Sequence, residues 1–135
     1  MDPNKLTQKS QEALHDAQNK ALRFGHQEVD GEHLLLALLE QPEGLVPRLF
    51  NKIDVPVDSL KAEVEAELQK RPSVSGPGTE AGKIHVTQRL SRVLMKSQQE
   101  AERLKDEYVS VEHLALALID EGQATPAARI FKDFN

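Results

Sequence analysis

Apolar residues recur at steps of three and four over most of this chain, and short breaks bearing Pro, Gly or polar residues separate the periodic stretches. That pattern predicts packed amphipathic helices. Over residues 7 to 23, Ser10, Ala13, Leu14, Ala17 and Ala21 form a narrow small-residue stripe, with Lys9, Glu12, Asp16 and Lys20 assigned to water. Phe24-Gly25-His26 ends this helix, since Gly25 can take the left-handed conformation of a C-terminal cap. A second helix is expected from Asp30, whose carboxylate can accept first-turn amides, with Glu32 set against the positive end of the dipole. Its body, Leu34-Leu35-Leu36-Ala37-Leu38-Leu39, is apolar all round, which only a helix enclosed on most sides tolerates. Pro42 and Gly44 then break the chain. Residues 45 to 53 read as a short helix with Pro47 in its first turn, and residues 57 to 71 as an amphipathic helix with Leu60, Val64 and Leu68 inward.

The order then repeats. Residues 7–39 lie over residues 87–119 without a gap at a constant shift of 80, and thirteen positions coincide, among them Thr7/Thr87, Val29/Val109, Glu32/Glu112 and His33/His113. Self-similarity of this kind marks a duplicated helical unit. Residues 86 to 104 and 110 to 120 are the expected second pair of helices, and Thr125-Pro126 is a fitting start for a short helix reaching Ile130 and Phe131. The fold class expected is all-α: two pseudo-symmetric four-helix repeats in one compact domain. The first repeat covers 1–71, a Pro/Gly/Ser-rich flexible linker 72–83, and the second 84–135, truncated before a counterpart of residues 57 to 71. A fragment of a longer polypeptide is the expectation.

Composition narrows the functional classes. A net charge of -5 offers no general attraction for nucleic acid or anionic lipid, and no apolar run approaches the roughly 20 residues that span a bilayer. With no cysteine and no basic-then-apolar start, a soluble cytoplasmic protein is expected. No phosphate loop, Cys nucleophile or Gly-x-Ser-x-Gly elbow is encoded, so no catalytic residue is assigned. The five histidines lack the spacing of a metal site. His33 and His113 are instead expected to be partly buried and hydrogen-bonded at helix starts.

Two sets of polar residues stand out. Thr7 with Glu32, and Thr87 with Glu112, can be caps and dipole partners, or they can form equivalent surface spots that receive a guanidinium-bearing group. Asp106 and Tyr108 lie in the second inter-helix loop, opposite His26 and Glu28 of the first, and no apolar period explains them. Val29 and Val109 in the same loops are expected to plug the core. An exposed Tyr beside an acidic pair is reasonable contact chemistry for peptides.

The run from Glu32 to Leu39, and Tyr108-Val109-Ser110-Val111-Glu112-His113-Leu114 some 80 residues on, resemble the amino-terminal double repeat of the Clp AAA+ ATPases. Residues 71–76, 106–114 and 130–135 are most similar to the ClpB branch, the chaperone disaggregases. The resemblance implies a domain tethered to ATPase modules that lie outside this chain, where ATP and Mg would bind. It also implies a homohexameric parent working with the DnaK chaperone system on unfolded or aggregated proteins, while the isolated domain is a monomer that is not itself an enzyme. Its family function is to engage such proteins through a shallow groove and to aid activation of the ring. Thr7, Asp106 and Glu112 fall on positions associated with that activity, and Tyr108 joins them from its own chemistry. The ClpC branch, linked to a protease, uses paired Thr and Glu positions for adaptors or phosphoarginine, and Thr7, Glu32, Thr87 and Glu112 match these. At Lys96, Glu100 and His113 this sequence departs from the Leu-like residues of strongly apolar grooves.

Overall fold

A computed structural model describes residues 3–72 and 85–120. Most of the expected linker and everything after Asp120, including Thr125, Pro126, Ile130, Phe131 and Phe134, lie outside these residues. Among the described residues a short 3-10 turn, Pro3–Lys5, precedes six α-helices: α1 (Gln8–Arg23), α2 (Gly31–Leu39), α3 (Leu45–Lys52), α4 (Val57–Gln69), α5 (Gln88–Arg103) and α6 (Val111–Asp120). Two-residue strands β1 (Glu28–Val29) and β2 (His85–Val86) form the only sheet among the described residues.

Local chemistry places the helix ends. Thr7 caps α1 by accepting from the Ser10 N–H at 3.2 Å, and Thr87 caps α5 by accepting from the Leu90 N–H at 3.1 Å. Asp30 caps α2, and α4 stops at Gln69, two residues short of the expected end. At the close of α1, Gly25 has φ 72° and the His26 N–H reaches back to the Ala21 carbonyl at 2.8 Å, as a Schellman cap requires. Lys105 does the same at the end of α5 with φ 62°, and the Asp106 N–H bonds the Ala101 carbonyl at 2.8 Å.

Helix α2 is buried along its whole length and forms the centre of the first half, packed on α1 and α4. Fully burying each of its leucines contributes about 2 kcal/mol. Across the repeats α2 meets α6 at Gly31, where a Cβ would lie 3.1 Å from Leu118 Cδ2. A Cβ there would require the Leu118 methyl to yield by a few tenths of an ångström. Ser10, Ala13, Ala17 and Ala21 line the buried side of α1 as the small-residue stripe predicts. Lys20 does not follow its assignment: it is 2% exposed, because Glu40 and Asp16 neutralise its ammonium inside the fold. A buried charge persists where it is paired.

The repeats are tied by an exchange of backbone pairs. β1 runs parallel to β2 with Val29 opposite Val86, and Leu6 bridges Val109 in parallel, so each repeat's leading segment pairs with the other's inter-helix loop. Val29 and Val109, 2% and 1% exposed, seal the core at these two points.

Candidate functional site

The loop between α5 and α6 is held on three sides. Val109 donates its N–H to the Lys5 carbonyl at 2.7 Å, and its own carbonyl accepts from the Thr7 N–H at 3.0 Å and the Ser10 hydroxyl at 2.9 Å. At the loop's other end His113 accepts the Ser110 N–H on Nδ1 at 2.9 Å, which leaves the proton on Nε2 to donate to Asp106 Oδ2 at 3.0 Å. The imidazole thus spans the loop. Between these fixed points Tyr108 stands 48% exposed.

The result is a shallow cleft of about 430 Å³ with Asp106, Tyr108 and Glu112 on its wall, together with Glu107, Leu104 and Leu116. Leu104 and Leu116 are about half exposed. Three carboxylates bordering three uncovered apolar groups favour an apolar side chain whose neighbours are basic. Of the four residues expected to contact a client, three share this cleft. Thr7 does not line it, but is bonded to Val109, the residue after Tyr108. Leu116 escaped the sequence reading because its counterpart is Leu36, which is 2% exposed.

A second cleft, about 470 Å³, lies between α5 and α6 and is lined by Lys96, Glu100, Leu116, Ala117, Ile119 and Asp120. Two of the three polar departures from an apolar groove, Lys96 and Glu100, face this cleft. His113 belongs to the other.

The paired Thr and Glu positions do not form equivalent surface spots. Glu112 is exposed, whereas Glu32 is 1% exposed and bonded by the guanidinium of Arg71, which also approaches Asp30 Oδ2 at 3.4 Å. Thr87 donates its hydroxyl to Asp30 Oδ1 at 2.8 Å, and Arg89 bonds the other oxygen. Burial pushes the Asp30 carboxyl up, but the Gly31 N–H, Thr87 and Arg89 outweigh it and hold the group below its ordinary range.

His33 shows why the repeated histidines exist. Its Nδ1 accepts the Asp30 N–H at 2.9 Å, completing a capping box, and its Nε2 lies 2.8 Å from His26 Nδ1. Burial first, and the facing His26 second, bring its pKa down to about 4. His26 occupies the place that Asp106 holds in the second repeat, and burial beside Arg71 lowers it too. Among the described residues no group of three or more His, Asp or Glu could hold a metal ion, and no helix is long and apolar enough to cross a membrane.

With this geometry in view, residues 5–134 match the family model described as the Clp repeat (R) N-terminal domain. A "Chaperone protein ClpB" of Nitratidesulfovibrio vulgaris is 52% identical over 135 residues, all of this chain and 16% of that protein. A second ClpB, from Bacillus cereus, is 49% identical over 121 residues, 90% of this chain and 14% of its own length. The chain therefore spans about a sixth of these relatives. Among solved structures, the Hsp104 N-terminal domain from Candida albicans has a TM-score of 0.81 at 23% identity, covering 96% of this chain and 81% of that one. The N-domain of ClpV from Vibrio cholerae has 0.78 at 20%, covering 98% and 78%. At that level of identity the structures speak to the fold, which is the same all-α arrangement. The chain belongs to the Clp repeat N-terminal domain family, with relatives named as ClpB chaperones.

Proposed function

We propose that this domain engages unfolded or aggregated polypeptides for a ClpB-type disaggregase, and that Thr7, Asp106, Tyr108 and Glu112 mark its contact surface. The observation that supports this reading is the cleft in which Asp106, Tyr108 and Glu112 meet the half-exposed Leu104 and Leu116. A surface this shallow selects weakly. Short apolar segments flanked by Lys or Arg fit it best, the apolar group on Tyr108 and the leucines and the cation against the carboxylates. Capture of this kind is salt-sensitive and micromolar or weaker. In the longer polypeptide it supplies substrate to a cytoplasmic, hexameric AAA+ ring that cooperates with the DnaK system, and its occupancy aids activation of that ring.

The reading is tested by an amide-resolved NMR titration with a permanently unfolded client. Shifts gather on residues around Thr7, Asp106, Tyr108 and Glu112, and the double variant Asp106→Ala/Glu112→Ala weakens binding by roughly tenfold, about 1 to 2 kcal/mol. Unchanged affinity in that variant overturns the proposal. Phosphoarginine is the control for the ClpC-type alternative, in which Thr7, Glu32, Thr87 and Glu112 act as the receptor. A response confined to these four residues would establish that alternative instead. Relatives named ClpB, and a Glu32 already bonded by Arg71, favour client capture.

A further inference from the structure

A buried imidazole in the second repeat holds a half-exposed carboxylate. His113 is 6% exposed, its Nδ1 is filled by the Ser110 N–H, and its Nε2 meets Asp106 Oδ2 at 3.0 Å. The Asp106 side chain is 51% exposed, and among the described residues its other oxygen, Oδ1, takes part in no hydrogen bond. The backbone fixes the same residue from the helix side: Lys105 turns left-handed at φ 62°, and the Asp106 N–H bonds the Ala101 carbonyl at 2.8 Å. The residue is thus held at both ends, with one oxygen left over beside the cleft.

The duplication supplies the control. A shift of 80 carries His33 to His113 and His26 to Asp106. In the first repeat the second ring nitrogen of His33 lies 2.8 Å from Nδ1 of His26, which is 7% exposed and stacked on Phe24. A buried histidine at this place can therefore satisfy both its nitrogens inside the fold. The second repeat meets the same need with a group that stands in solvent, next to the carboxylates of Glu107 and Glu112 and the apolar surface of Leu104, Tyr108 and Leu116.

We propose that His113 is a positioning residue for the client contact: it holds Asp106 in one rotamer with Oδ1 free, so that the carboxylate meets the Lys or Arg flank of a client already ordered. This rests on client capture at the cleft. An exposed Asp side chain loses rotamer freedom when it grips a cation, and the long cationic side chain loses its own at the same moment. Ordering the carboxylate beforehand removes part of that cost, and only for clients that bring a cation. Apolar contact on Leu104, Tyr108 and Leu116 gains nothing from it.

The experiment titrates the 135-residue protein, by NMR, with two peptides that share one apolar segment, flanked in one by Lys and in the other by Gln. Wild type binds the Lys-flanked peptide about tenfold more tightly, and only that peptide moves the side-chain Nε2 resonance of His113. His113→Asn, whose side-chain oxygen can replace Nδ1 at the Ser110 N–H but is too short to reach Asp106, narrows the ratio to about threefold. In an Asp106→Ala background the ratio is already narrowed, and the same change alters it no further. A histidine that only supported the fold would lower both affinities in step and leave the ratio at its wild-type value; that result overturns the proposal. So does a wild-type His113 resonance that ignores the Lys-flanked peptide, a measurement that needs no variant and decides the matter if His113→Asn does not fold. If neither peptide binds, capture at this cleft fails and the positioning role with it. If both bind and the ratio is insensitive to His113, capture stands and the positioning role does not.

Discussion

The two repeats share a frame and differ in what fills it. Both cap the second helix with a histidine that accepts a backbone N–H on Nδ1, yet His33 passes its other proton toward a buried histidine and His113 toward an exposed aspartate. Both carry Glu in the first turn of that helix, one buried under Arg71 and one in water. Leu36 and Leu39 are 2% and 4% exposed, while their counterparts Leu116 and Ile119 are 52% and 36%. The first repeat has spent these positions on its own stability; the second presents them to solvent. Identical residues therefore carry different roles according to what packs over them.

The sharpest way to break the comparison is to truncate a matched pair. Leu36→Ala is expected to cost about 3 kcal/mol through lost burial and a cavity, and Leu116→Ala no more than about 0.5, both read by urea denaturation. Equal losses would mean that the repeats are packed alike. Acid gives the next largest contrast. With His33 at about 4 in the folded state against an ordinary 6.5, the unfolded chain binds the extra proton first. Its contribution, on the order of 3 kcal/mol, is complete above pH 6.5 and drains away as the pH falls toward 4. Urea titrations over that range should show the loss in wild type and a flatter profile in His33→Gln, whose amide can still accept the Asp30 N–H. The smallest effect concerns the helix ends. Lys105→Gly should stabilise the protein by about 0.5 to 1 kcal/mol, because Lys105 adopts a left-handed conformation that Gly25 adopts without steric cost. Gly25→Lys should destabilise it by a similar amount, both read as Tm shifts.

What the sequence made legible was local. Thr7, Thr87 and Asp30 as caps, Gly25 as a stop, the enclosed leucines of α2 and the capping role of the histidines all depend on neighbours within one or two turns. What it hid was distant pairing. Lys20 looked solvated because nothing nearby announces Glu40, and Glu32 looked like a dipole partner because Arg71 is 39 residues away. The two-residue strands carry no period to detect. For the cleft, Asp106 and Tyr108 were visible because no apolar pattern accounted for them, whereas Leu116 was concealed by its match to a buried leucine.

The exchanged backbone pairs also constrain the order in which this molecule can be completed. Leu6 and Thr7 leave the ribosome about a hundred residues ahead of Val109, the residue that accepts the Thr7 N–H and the Ser10 hydroxyl. Until Val109 has been made the first repeat lacks this clasp, and the backbone of Leu6 and Thr7 waits for its partner. The first half of the domain thus begins as an unfinished one, and closes only when the second half arrives.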